Sequence, residues 1–269
     1  MHFNGIVKCD MNALIALLAR YAITGVARQH LIRKERLRLD TNSVASSAES
    51  ALETTPPLFQ RQVGARPPAS GGSLTREQFL LPELRMVAAM RLEGYSDQEI
   101  VELSRSENIF QYPTTRAAQS IAKACLRRLS LLEQPDLQRL VARDIGTPEQ
   151  AAQINLYAMA RTYRLMNDFL SVEIAMRYLT RDYTFGPAEM NYYFANLTLR
   201  NREAATWSDA TIGKLKQVLR KSLAGAGLLE TQRSCELQPL LLDPVVQDGM
   251  EANGDFELLP AFGCMTAHR

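Results

Sequence analysis

Between residues 74 and 263 the chain has no histidine; His2, His30 and His268 lie outside that stretch. The absence removes Ser-His-Asp triads, Cys-His pairs and HExxH zinc sites from the body of the protein. The four cysteines, Cys9, Cys125, Cys235 and Cys264, are widely spaced and form no CxxC pair. They indicate a reducing cytoplasm, with neither a zinc site nor a disulfide framework. There is no GxxxxGK[ST] loop and no GxGxxG, so a P-loop or dinucleotide fold has no support. These absences read as a non-enzymatic protein without cofactor, metal or small-molecule substrate. Asp168, Glu173 and Asp182 lie in one helical region, where acids can serve metal-assisted chemistry. Their spacing puts them on no common helical stripe, so they read as surface acids.

Bulk charge is also scarce. Over 269 residues the net charge is +2, and it is unevenly spread. Nine of the 31 Lys/Arg and five of the 29 Asp/Glu precede Leu74, which leaves 22 cations against 24 anions in the rest. Nucleic-acid binding by the body therefore has to come from local patches. Apolar content of 46% and a mean hydropathy of -0.17 are ordinary for a soluble protein, and the length suits one large domain or two smaller ones.

Residues 1–40 form a basic segment in which "MNALIALLARYAITGV" precedes "RQHLIRKERLRLD". Three readings stand: an amphipathic helix on a surface or partner, a start assigned too far upstream, and a membrane anchor. The apolar run is short of the ~20 residues a spanning helix needs, and its charge follows rather than precedes it. Residues 41–73, rich in Ser, Ala, Pro and Gly, read as a disordered linker.

From Ser73 onward local signals agree. "TREQ" at 75–78 and "SDQE" at 96–99 are capping boxes, and "TPEQ" at 147–150 adds proline in the first turn. Helices are expected at 76–93, 97–106, 114–131, 136–143, 148–180 with one break, 187–200 and 209–225. Strand-like content is confined to 228–231 and 235–238. The expected fold is mainly α: a helical domain over 74–182, a second domain over 183–263 ending in a small β-hairpin, and a tail at 264–269.

Two helices concentrate cations. In "TTRAAQSIAKACLRRLSLL", Arg116, Lys123 and Arg127 fall within about 20° of one direction, spread over roughly 16 Å, with Ala118, Ile121, Cys125 and Leu129 opposite. That spacing suits a row of phosphates, and equally a solvated face paired with acids elsewhere. In "WSDATIGKLKQVLRKSLAGAGLLE", Ile212, Leu215, Leu219, Leu223 and Ala226 face a core, while Gly213, Gln217 and Ala224 lie opposite. Lys216 and Arg220 flank that strip on one side, and Lys214 and Lys221 on the other. Small residues at the centre and cations at both edges suit a helix entering a major groove. Ser208 is an N-cap, glycines end the helix, and Arg233 sits near the hairpin tip. Trp207, the single tryptophan, reads as packing beneath the turn. Against a tight helix-turn-helix stand the eight residues from Asn201 to Ser208 and a hairpin tip without Gly or Asn.

The segments "LLPELRMVAAMRLEGYSDQEI", "ENIFQYPTTRAAQSIAKACLRRLSLL", "AMARTYRLMNDFL", "WSDATIGKLKQVLRKSLAGAGLLE" and "ANGDFELLPAFG", in that order, resemble the BrxA family of the BREX bacteriophage-exclusion systems. The resemblance covers residues 74–263. It implies a NusB-like helical bundle followed by a winged-helix-like portion. It also implies a non-enzymatic, double-stranded-DNA-binding component of a bacterial antiviral defence complex, with other BREX proteins as partners. Residues 1–73 have no counterpart in it. With the charge pattern, it predicts sequence-tolerant DNA binding through Arg116, Lys123, Arg127 and Arg128 in one patch and Lys214, Lys216, Arg220, Lys221 and Arg233 in another, with Gln217 as a base-edge contact. The alternative is a scaffold within the defence complex whose cations meet acidic partner surfaces.

Overall fold

The computed structural model describes residues 71–264 apart from Asp144. The readings of residues 1–70 and 265–269, including Cys9 and the three histidines, lie outside the described residues. Helix follows helix: α1 (Gly71–Leu74), α2 (Leu81–Leu92), α3 (Asp97–Ser106), α4 (Thr115–Leu131), α5 (Pro135–Val141), α6 (Pro148–Thr162), α7 (Arg164–Asp168), a π-helical segment (Phe169–Ile174), α8 (Ala175–Thr180), α9 (Pro187–Arg200), a 3-10 turn (Ala204–Thr206), α10 (Asp209–Gly225), α11 (Pro244–Ala252) and a 3-10 segment (Phe256–Phe262). No helix among the described residues is long and apolar enough to cross a membrane.

The core is organised around α6, whose residues from Ala151 to Ala160 are all buried. A helix apolar all round needs partners on every side. Here α2, α4, α5, α10 and α11 supply them. Two of the expected capping boxes form: Ser96 accepts from the Glu99 amide and Glu99 returns to Ser96, and Thr147 and Gln150 do the same at α6. The long 148–180 run breaks at Tyr163, whose backbone is extended, and then loosens into the π segment. Thr162 and Ser171 each turn a hydroxyl back onto the carbonyl four residues earlier, at 2.7 and 2.8 Å, which favours such bends.

The box expected at Thr75–Gln78 does not form, and the helix begins at Leu81. Residues 75–80 instead make a strap between α4 and α10. Arg128 draws in the carbonyls of Glu77, Gln78 and Phe79, and Glu77 spends its carboxylate on Arg127 and Tyr163. Leu80 then takes a left-handed conformation (φ 49°), which no helix can include, and Pro82 fixes the first turn after it.

The expected strands are narrower than 228–231 and 235–238. Only isolated antiparallel bridges join Leu229 to Leu237 and Thr184 to Glu236. Three backbone bonds of 2.8–2.9 Å extend them: Gln238 to Leu228, Phe185 to Cys235, and Leu237 to Tyr183. No helix was expected after Gly225, yet α11 and the last 3-10 segment cover the core there. Asp243 caps α11 by accepting from the Val245 amide at 2.9 Å. Asn253 ties the end of α11 to the Leu132 carbonyl and the Tyr157 hydroxyl.

Candidate nucleic-acid interface

The amphipathic pattern of α10 places its residues as its spacing requires. Leu215, Val218, Leu219 and Leu223 are buried, and Gln217 and Gly213 are exposed. Ser208 caps the helix by accepting from Thr211 at 3.2 Å. Trp207 packs against the core at its entrance. Lys221 is exposed, and its ammonium donates to Gln78 Oε1 at 3.2 Å. Lys214 donates to Gln217 Oε1 at 3.1 Å. Lys216 turns toward α9, where it donates to Asn191 at 2.7 Å and lies 5.5 Å from the Phe194 ring centroid.

Arg220 is not a free cation. Its guanidinium donates to the carbonyls of Gln232 (2.7 Å), Phe185 (3.2 Å) and Ser234, and stacks near the Phe185 ring. It therefore pins the 230–234 loop beside α10 and replaces the sheet ladder that the two bridges leave short. Within the loop, Thr231 and Ser234 bond one another, which closes a tip without Gly or Asn. Arg233 is exposed at that tip.

The α4 patch divides in two. Arg116 and Lys123 are exposed. Arg127 is ion-paired with Glu77 and lies 5.6 Å from the Tyr163 ring. Arg128 is 0% exposed, so it is no part of any surface. The two-faced pattern failed at Arg128 because a long polar side chain can reach from the edge of a buried face to backbone carbonyls. Beside these arginines, burial pushes the Tyr163 phenol above its ordinary range. The strap links the α4 patch to α10: Arg128 holds its carbonyls, and Lys221 donates to its Gln78 side chain.

The acids weighed for metal chemistry pair with arginines. Glu173 and Asp182 share Arg177, and Asp168 pairs with Arg164 at 3.7 Å. Among the described residues no group of His, Cys, Asp or Glu is arranged to hold a metal ion. Sequence reasoning missed Gln78 and Gln232. Gln78 carries only a capping signal and Gln232 none, since each meets α10 only through the fold.

Fold and charged surface together define a mainly helical protein with cations along one exposed helix face. An uncharacterized protein from Magnetospirillum magneticum shares the fold, with a TM-score of 0.58 at 20% identity over 70% of this chain and 95% of that one. The BrxA family profile matches residues 71–254, and the chain belongs to the BrxA family. Relatives named BREX protein BrxA include one from Bacillus cereus (strain H3081.97), 30% identical over 177 residues, 65% of this chain and 87% of that protein. Another, from Paramagnetospirillum magneticum (strain ATCC 700264 / AMB-1), is 23% identical over 199 residues, 74% of this chain and 93% of the relative. A third, from Escherichia coli O9:H4 (strain HS), is 26% identical over 190 residues, 70% and 87% of the two chains.

Proposed function

We propose that this chain is a non-catalytic component of a BREX anti-phage system that binds duplex DNA through α10 and the 230–234 loop, mainly by phosphate contacts. Family membership supports the place in BREX and the other BREX proteins as partners. The observation that carries DNA binding is the exposed face of α10. Gln217 and Gly213 stand at its centre, with Lys214 and Lys221 at its edges and the Arg220-pinned loop presenting Arg233 alongside. The order of the parts supports a winged-helix-like reading of 183–263: a short extended piece at 183–185, α9, α10, then residues 228–229 and 235–238 around a loop. On this reading residues 74–182 form the NusB-like helical platform.

The surface set is Arg116, Lys123, Lys214, Lys216, Lys221 and Arg233, with Gln217 for a base edge. Arg127 and Arg220 shape that surface from within. Contact by most of these cations gives a slope of log K against log salt of about -3 to -5.

The test is fluorescence anisotropy of the full chain with a short labelled duplex, scanned over salt, beside a variant in which Lys214, Lys216 and Lys221 are Gln. Binding that weakens steeply with salt and further in the variant is the expected result. No binding at low salt rejects the role.

A scaffold reading has one observation of its own. Leu199 is 84% exposed on α9, with exposed Tyr192 two turns before it, an apolar pair suited to a protein partner. It predicts that Leu199→Ser releases a BREX partner and leaves DNA binding unchanged.

A further inference from the structure

Where α10, the 230–234 loop and the strap meet, they leave a cleft of about 220 Å³ lined by Gln78, Gln217, Val218, Lys221 and Gln232. Its hydrogen-bonding capacity leans toward donors. Gln78 Oε1 accepts from Lys221 and Gln217 Oε1 from Lys214, so each of these amide oxygens already faces a cation. The NH2 groups of the same side chains stand beside two ammoniums as further donors.

The strap adds to the same imbalance. The carbonyls of Glu77, Gln78 and Phe79 are all committed to Arg128. Gln78 is the strap residue that lines the cleft, and its backbone amide has no acceptor among the described residues. No carboxylate lines the cleft. Glu77, the nearest acid in sequence, is engaged by Arg127 and Tyr163.

A cleft that donates, carries positive charge at its rim and has few acceptors to offer is complementary to an oxyanion. The adenine and cytosine edges each present an amino donor that needs an acceptor, so the cleft suits them poorly. We propose that it seats one backbone phosphate of bound duplex DNA, with Gln78 and Gln232 as direct phosphate contacts. The strap, which belongs to neither α10 nor its loop, thereby becomes part of the DNA surface. This inference rests on the DNA-binding reading above and adds a specific site to it.

The experiment repeats the salt-scanned anisotropy on the full chain with Gln78→Glu and Gln232→Glu, which place a carboxylate on opposite walls of the cleft. Gln98→Glu, on the exposed start of α3, controls for net charge. Thermal melting of each variant checks folding, and where one wall does not tolerate the change the other decides. Both cleft variants are expected to bind about tenfold more weakly at low salt, with a slope shallower by about 0.9, the share of one phosphate. Gln98→Glu matches the unmodified protein. If the unmodified protein binds and both cleft variants coincide with it, the phosphate seat is overturned while DNA binding stands. If the unmodified protein does not bind, the DNA reading falls and the seat falls with it.

Discussion

Arg128 and Asn155 converge on a single acceptor. Both donate to the carbonyl of Phe79, and Arg128 Nη1 stands 3.2 Å from Asn155 Oδ1. The guanidinium is buried without an ion pair among the described residues, and its charge is met by three successive backbone carbonyls and two side-chain oxygens. Such a group helps only while its partners hold, because an uncompensated polar group in the interior is costly.

Arg128→Met therefore strands the carbonyls of Glu77 and Gln78 and leaves that of Phe79 to Asn155 alone. The expected loss is about 3 kcal/mol, in the range for breaking a buried charged network. Arg128→Lys recovers little of it, because one ammonium cannot span three carbonyls as a planar fork does. Urea unfolding followed by circular dichroism measures both. A loss below about 1 kcal/mol for the Met variant contradicts a structural role for Arg128.

Arg220 and Arg233 separate by the same logic. Arg220→Ala frees the 230–234 loop, lowers stability by about 1–2 kcal/mol and weakens DNA binding indirectly. Hydrogen exchange of the amides from Thr231 to Glu236 then speeds up. Arg233→Gln leaves melting and exchange unchanged and makes the salt slope shallower by about 0.9. Equal exchange in all three proteins refutes the pinning role of Arg220.

Two glycines of α10 give opposite results with the same substitution. A Cβ at Gly225 falls 2.6 Å from two ring carbons of Phe79, so Gly225→Ala pushes the strap outward. Overpacking of this kind costs about 1–3 kcal/mol, which offsets the ~1 kcal/mol of helix propensity that alanine brings. A Cβ at Gly213 meets nothing within 4 Å, so Gly213→Ala is stabilising by about 1 kcal/mol. Thermal melts of the pair test the strap contact directly, and two variants that are both stabilised show that Phe79 gives way freely.

Thiol chemistry follows burial. Cys125 is fully buried, and desolvation pushes its thiol up to about 12, so it carries almost no thiolate at neutral pH. Cys235 is exposed beside the 230–234 loop. Native alkylation followed by peptide mapping is expected to label Cys235 rapidly and Cys125 only after unfolding. Labelling of native Cys125 at a comparable rate indicates frequent opening of the α4–α6 contact.

Local signals made most of this structure legible. The α3, α9 and α10 boundaries, two capping boxes and the buried face of α10 follow from spacing alone, because each depends on residues within one or two turns. Legibility ended where a partner is distant. Arg128 reads as the fourth cation of a surface row, and only the strap's arrival from far along the chain makes it a buried clamp. Arg220 reads as a phosphate-reaching edge until the loop carbonyls come within its reach. The TREQ box is chemically sound and is overridden by tertiary bonds worth more than a cap. Helix α11 is brief and sits between prolines and glycines that punctuate its signal.

The strap also sets an order of events during synthesis. Gln78 and Lys221 meet across 143 residues of sequence, and Phe79 leans on Gly225 from a similar separation. A ribosome delivers the chain from its N-terminal end, so the strap emerges long before α10 exists to receive it. Arg128 and Asn155 arrive in the interval and can hold the strap's carbonyls first. Its outer side then waits, with the Gln78 side chain unpaired, until the last long helix leaves the exit tunnel. Contacts of such long range close slowly, so the surface beside α10 is among the last parts of the newborn protein to take shape.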